Sequence, residues 1–386
     1  MLPQRQRALL EQYLQFRSGE WTDVADSCMR NPAGAYVDAG RFAREMEVLF
    51  HGGPVPIGLS CECREPGSYL AATVGGMPVA VVRQSDGSLR GLVNACRHRG
   101  APVLLGRGEG LKALVCPYHA WSYKLDGSAI GRPQEWGFAD IPRSECNLAQ
   151  VAVAEQYGLI YVQPNARGAI SIDRVLEGMQ TEIAEYDLSR YFHFETRSRE
   201  WNFNWKLILD TFTENYHIPS LHRRSIAPYY DDRHSIWDTY GLHQRTVNFR
   251  RSIDKELEKP AEDRRILPHT TIQYFLLPNT LLVHQLDHVE LWRVAPIAVD
   301  RCLVSTSLFA PKPPESESAK KHWKKNLDML LQVTETEDFP MMASIHAALA
   351  SGALKEVIYG KIEPALSFFH QSINRLLEQA GDTTCR

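Results

Sequence analysis

Two runs organise this chain, Cys96-Arg97-His98-Arg99-Gly100-Ala101-Pro102 and Cys116-Pro117-Tyr118-His119-Ala120-Trp121-Ser122-Tyr123, with seventeen residues between His98 and Cys116. Each run offers one thiolate and one imidazole. Four thiolates would suit a plant-type cluster, whereas two Cys and two His suit a 2Fe-2S centre whose second iron carries imidazoles, and neutral ligands there raise the potential. Zinc accepts the same donors, and spacing alone does not separate the two metals. The setting favours the cluster. Gly100 and Pro102 suit a tight loop whose N–H groups can point at sulfur. Pro117, Tyr118 and Trp121 are placed to keep water away, and Asp126-Gly127 marks a hairpin turn just beyond.

The wording CRHRG...CPYHAWSY closely resembles the Rieske signature, and in particular that of the Rieske non-heme iron oxygenases. The resemblance extends over roughly residues 45–375. It implies an α+β chain with an all-β Rieske 2Fe-2S domain and a catalytic domain of the helix-grip (START-like) kind, built on an antiparallel sheet. The expected division is an N-terminal helical segment, 1–44, packing on the catalytic domain, then the Rieske domain, 45–165, then the catalytic domain, 166–386.

Composition agrees with two soluble domains. The chain has 386 residues, 44% apolar and 23% charged, enough to bury two cores. A net charge of −3 argues against a nucleic-acid partner. The opening MLPQRQRALLEQYLQF alternates charged and apolar residues, and no apolar run reaches the roughly 18 residues of a membrane span, so a cytoplasmic protein without signal peptide is expected. Of eight cysteines, two belong to the cluster motif; Cys28, Cys61, Cys63, Cys146, Cys302 and Cys385 are scattered without a disulfide framework.

Leu9, Leu10, Tyr13, Leu14 and Phe16 recur at helical intervals and predict a docking helix over 5–17. Short strands follow at 69–74, 78–83 and 92–94, and 159–162 closes the β block before a linker at Asn165–Gly168. Ile172, Val175, Leu176, Met179 and Ile183 predict one helix. Strands are expected at 271–275, 281–284, 289–294 and 302–309. Two helices then end the chain, 319–351 with a break near Pro340, and 364–380 closed by Gly381.

A second chemical stretch is Asn204-Trp205-Lys206-Leu207-Ile208-Leu209-Asp210-Thr211-Phe212-Thr213-Glu214-Asn215-Tyr216-His217-Ile218-Pro219-Ser220-Leu221-His222. Asp210, Glu214 and His217 fall at i, i+4 and i+7, on one face of a helix, with Asp210 and Glu214 as candidate catalytic acids. His222 does not share that face. Pro219 should break the helix just after His217 and let the chain bring His222 back. Two imidazoles plus one carboxylate make the facial triad that binds Fe(II) and leaves positions open. Two unrelated buried histidines are the alternative.

The oxygenase resemblance implies more. By it, His217 and His222 ligate the mononuclear iron. Of Glu335, Glu337 and Asp338 in the late acidic run, Asp338 corresponds to the family's third ligand. Glu214 stands where most of the family has an Asp bridging the neighbouring subunit's Rieske His to the local iron-ligating His; Glu there is similar to the carnitine monooxygenase branch. The resemblance also implies a terminal oxygenase supplied with electrons, ultimately from NAD(P)H, by a ferredoxin or flavin reductase. It would use O2 to hydroxylate, dihydroxylate or demethylate a small substrate, either an arene, as in aromatic hydrocarbon catabolism, or a methylated amine. A head-to-tail homotrimer, with or without added beta subunits, completes the picture. A Rieske electron-transfer protein and a zinc-stabilised binding protein are the other two readings.

Lys320-Lys321-His322-Trp323-Lys324-Lys325 reads as a solvated helix face, and Arg97 and Arg99 as docking contacts beside the cluster. His284, His288, Trp292 and the Tyr274-Phe275 pair lie on expected strands of the catalytic sheet.

Overall fold

The computed structural model describes residues 1–19, 23–166 and 168–383, the side chains of 382 and 383 excepted. Cys385, and Arg167 of the expected linker, lie outside the described residues. The chain forms two compact units. One comprises 46–175 with 187–190, and the other 1–45, 176–186 and the chain from 191 onward. The first thus runs past the expected boundary at 165.

The first unit is built on a seven-stranded antiparallel sheet. Its order is Val55–Leu59, Leu159–Gln163, Gln150–Gln156, Leu89–Val93, Met77–Arg83, Tyr69–Val74, Arg107–Gly108. Val79 to Val82 are continuously buried at its centre, which explains an apolar run where an exposed strand would alternate. Val74 pairs with Met77 across Gly75 and Gly76, both at positive φ (+56° and +83°), the two-residue hairpin turn that follows strand twist. A three-stranded sheet, Leu114–Val115, Ser122–Tyr123 and Ala129–Gly131, adjoins the second cysteine loop.

The second unit carries another seven-stranded antiparallel sheet, ordered Phe192–Trp201, Arg301–Ala310, His288–Ala298, Thr280–Gln285, Thr270–Leu276, His243–Arg250, Tyr230–Tyr240. Register places Gln244, Phe275, Leu281, Trp292 and Thr306 in one row on one face. Helices cover that face: Trp292 meets Phe212 of the helix Lys206–Phe212 with ring centroids 4.9 Å apart, and Gln244 donates to the carbonyl of Ala365 in the last helix. This is the helix-grip arrangement. The helix Pro3–Ser18 buries Leu9, Leu10 and Tyr13, with Tyr13 stacked on Phe249 at 3.8 Å.

Several local expectations need correction. The 172–183 stripe is buried, but as two short helices, Ile172–Leu176 and Gln180–Ile183, because Glu177 and Gly178 turn to positive φ between them. The late helix is interrupted just before Pro340, as expected, but by a change of helical register and not by a loop. Pro340 has no N–H for the carbonyl one turn back, and one π turn, Thr334–Asp338, links the helices Glu317–Val333 and Phe339–Ala350. The final helix runs through Gly381 to Thr383. Strands 192–201, 230–240 and 243–250 were not expected at all.

Candidate metal centres

The two cysteine loops are folded alike. Cys96 N–H donates to Ala101 and Gly100 N–H to Cys96; Cys116 N–H donates to Trp121 and Ala120 N–H to Cys116. The fourth residue after each cysteine takes positive φ, +77° at Gly100 and +56° at Ala120. Both thiols are buried, and Cys96 Sγ is 3.1 Å from the Tyr123 hydroxyl. Burial raises the Cys96 thiol, so metal binding would be needed to hold a thiolate there.

The imidazoles sit at the rim with their Nδ1 atoms 3.2 Å apart, as two donors to one ion would. His98 is held below the usual imidazole range by burial, with the charges of His119 and Arg99 adding to it. Trp121 stacks on His98 at 5.1 Å and Phe138 meets both edge-on. The expected water shield is therefore only partly right: Trp121 supplies it, Phe138 joins it, and Pro117 and Tyr118 face solvent.

This arrangement distinguishes the two metals. A zinc ion would draw all four donors to one point. Here thiol pairs with thiol and imidazole with imidazole, and the only set converging within 4.8 Å among the described residues is a different one, His217, His222 and Asp338. The loops fit a two-iron group with its sulfur end inward and its nitrogen end at the surface.

The second set arises from a helix that ends sooner than expected. Lys206–Phe212 stops at Thr213, whose hydroxyl donates to the carbonyl of Asp210. Glu214 then accepts the His217 N–H at 3.0 Å, and Pro219 opens the short helix Ile218–Leu221 instead of breaking a long one. His217 and His222 flank that helix, their rings 5.1 Å apart. Asp210, Glu214 and His217 therefore do not share one helical face.

Asp338 Oδ1 lies 3.0 Å from His222 Nε2 and 3.7 Å from His217 Nε2. It is buried and has no aligned hydrogen-bond partner among the described residues, the mark of an oxygen placed for a cation. Behind the rings, Glu214 Oε1 contacts His217 Nδ1, and Glu337 Oε2 lies 2.7 Å from His222 Nδ1. Burial pulls the His222 imidazole down, but Asp338 and Glu337 outweigh it and the net direction is up; a cation would take the proton's place. The donors fit one divalent ion of the two-histidine, one-carboxylate kind.

The remaining acids have other partners. Glu335 pairs with Arg199 at 2.8 Å. Asp210 is buried against the Tyr36 hydroxyl and His370 Nε2, in a network with Tyr359 and Asn31, and does not join the three donors. Glu363, which sequence reasoning missed, is raised by burial and then by the charges of Glu214 and Asp210. A cavity of about 360 Å³ is lined by Glu214, Tyr216, Asp232, Arg233 and Trp237, among others. His284 and Tyr274 point to the opposite sheet face from Trp292 and Phe275.

A chain that carries a one-electron centre and, separately, an open two-histidine, one-carboxylate site is equipped as an iron oxygenase. Two family models match it: the Rieske [2Fe-2S] domain over residues 53–142, and the ring hydroxylating alpha subunit (catalytic domain) over 188–379. The chain belongs to the Rieske non-heme iron oxygenases, as a catalytic alpha subunit using a 2Fe-2S cluster, a mononuclear iron and dioxygen.

Among its relatives, the glycine betaine monooxygenase oxygenase subunit of Chromohalobacter salexigens is 26% identical over 350 residues, 79% of this chain and 77% of that one. The carnitine monooxygenase oxygenase subunit of Escherichia coli K12 is 31% identical over 198 residues, 50% of this chain and 51% of that one. Among solved structures, the quaternary ammonium Rieske monooxygenase CntA superposes with a TM-score of 0.77 at 20% identity, covering 94% of this chain and 98% of that one. Naphthalene 1,2-dioxygenase from Rhodococcus sp. gives 0.69 at 20% identity, covering 96% and 98%. These likenesses are of fold.

Proposed function

We propose that this chain is the cytoplasmic terminal oxygenase of a multicomponent system, that it oxidises a methylated ammonium compound, and that His217, His222 and Asp338 hold its mononuclear iron. The observation that carries the metal assignment is the convergence of these three donors on a buried carboxylate oxygen without an aligned partner. When bound, the 2Fe-2S cluster supplies single electrons and the mononuclear iron supplies open positions for dioxygen.

The chain's own residues do the rest. Cys96 and Cys116 would anchor the cluster from the core, leaving His98 and His119 toward solvent as the exit for electrons. Glu214 would bridge from His217 to His119 of a neighbouring copy in a head-to-tail homotrimer. Two exposed features support this contact. Tyr118 and Trp136, in and near the cluster loops, are 55% and 82% exposed, and Tyr216, beside the Glu214 cavity, is 69% exposed. Electrons would arrive from a ferredoxin or flavin reductase fed by NAD(P)H.

The substrate class rests on the likeness to the glycine betaine and carnitine monooxygenase subunits and on Glu214. Oxygen uptake with a surrogate reductase, across a panel of quaternary amines and aromatic acids, tests this. Uptake coupled to amine oxidation is expected; uptake coupled only to arene oxidation would move the substrate to the aromatic class.

A further inference from the structure

Glu337 and Asp338 are consecutive, yet they address opposite edges of one imidazole. Asp338 Oδ1 is 3.0 Å from His222 Nε2, while Glu337 Oε2 is 2.7 Å from His222 Nδ1. The π turn Thr334–Asp338 carries both carboxylates to His222. Ser225, on the His222 side, donates its hydroxyl to the same Glu337 oxygen at 2.7 Å and returns a backbone N–H to the His222 carbonyl. The carboxylate is thereby held from two directions.

We infer that Glu337 is a positioning residue for the mononuclear metal: it accepts the Nδ1 proton of His222, fixes the tautomer that leaves Nε2 free, and orients that nitrogen at the ion. This rests on His217, His222 and Asp338 being the metal site. A ring nitrogen's partner sets which nitrogen can ligate, and a carboxylate partner also makes the ligand more basic. Glu337 is not itself placed as a donor, since its oxygen is engaged by Nδ1 and Ser225 on the far side of the ring. Glu214 does the matching work for His217, so the two ligating rings each have an acid behind them.

The test uses the full chain with its Rieske cluster loaded and the mononuclear site emptied by a chelator. Co(II) and Fe(II) affinities are then measured by chelator competition for the wild type, Glu337→Gln, Glu337→Leu and Ser225→Ala, with the ligand-field bands of the bound Co(II) recorded. Glu337→Leu should weaken binding roughly 10- to 100-fold and shift the bands. Glu337→Gln, which keeps an acceptor but not the charge, and Ser225→Ala, which leaves the carboxylate but removes one of its supports, should each weaken binding measurably but by less than Glu337→Leu. Should the leucine variant fail to fold, the other two still decide. Wild-type affinity and unshifted bands in all folded variants would overturn the role of Glu337 while leaving the metal site intact. A wild type that takes up no ion beyond the cluster would overturn the site itself, and Glu337 with it.

Discussion

Glu214 holds His217 twice, through the backbone N–H at 3.0 Å and through Nδ1 of the ring, so one carboxylate fixes both the chain and the imidazole of a candidate iron ligand. Residues that act this way are sensitive to loss of charge even where shape is kept. Glu214→Gln should therefore retain cluster and mononuclear iron, while steady-state turnover with a reductase falls by about 100-fold. Near-normal turnover would remove Glu214 from the electron route.

If Glu214 accepts electrons from a neighbouring copy, defects should complement across chains. On the proposed assembly, His119→Ala would remove the cluster's exit and His217→Ala the mononuclear site, and neither variant alone should turn over. Co-expressed, the two chains should form mixed trimers in which an intact cluster faces an intact iron site, and part of the activity should return. Activity that stays at zero in trimers verified as mixed would place the electron path within one subunit.

The twin cysteine loops allow a test of backbone strain. Gly100 and Ala120 occupy equivalent left-handed positions, and a Cβ at Gly100 would meet nothing within 4 Å, so only its φ of +77° opposes alanine. Gly100→Ala should cost about 1 kcal/mol in denaturant melts, and Ala120→Gly should stabilise by a few tenths to about 1 kcal/mol. Opposite signs would show that the two loops are not conformational twins.

Two buried histidines contribute to the pH dependence of stability in opposite senses. Burial holds His284 at about 4, below its unfolded value near 6.5, so its stabilising contribution is full above about pH 6.5 and is lost as pH falls toward 4. His288 runs the other way. Burial pulls it down, but Asp287 and Glu290 carry it to about 9, so its contribution is full below about pH 6.5 and is lost as pH rises through 9. Each is worth on the order of 3 kcal/mol at most. In urea melts against pH, His284→Leu should flatten the acid limb and His288→Gln the alkaline limb; unchanged slopes would contradict the assignments.

The candidate donors Cys96, His98, Cys116 and His119, and then His217 and His222, stood out because metal chemistry restricts residue type and spacing, whereas Asp338 could be chosen over Glu335 and Glu337 only through the family resemblance. The helix around Asp210 could not, since its end depends on the Thr213 hydroxyl and the Glu214 carboxylate competing for backbone groups. The strand His243–Arg250 was hidden for another reason. Gln244, Arg245, Thr246 and Asn248 are buried there because distant partners satisfy them, Glu182 for Arg245 and Gln273 for Thr246, and no local alternation reports that. Glu337 emerged as a partner of His222 only through the π turn, whose register a plain helical count does not reproduce.

The most direct measurement is the metal and acid-labile sulfide content of purified wild type and His217→Ala, with the visible spectrum of each. Two separate iron stations predict three irons and two sulfides per wild-type chain, and two irons with an unchanged cluster spectrum in the variant, as expected of a Rieske centre beside a mononuclear site. Two irons in both proteins, zinc in either site, or loss of cluster and mononuclear metal together would contradict it.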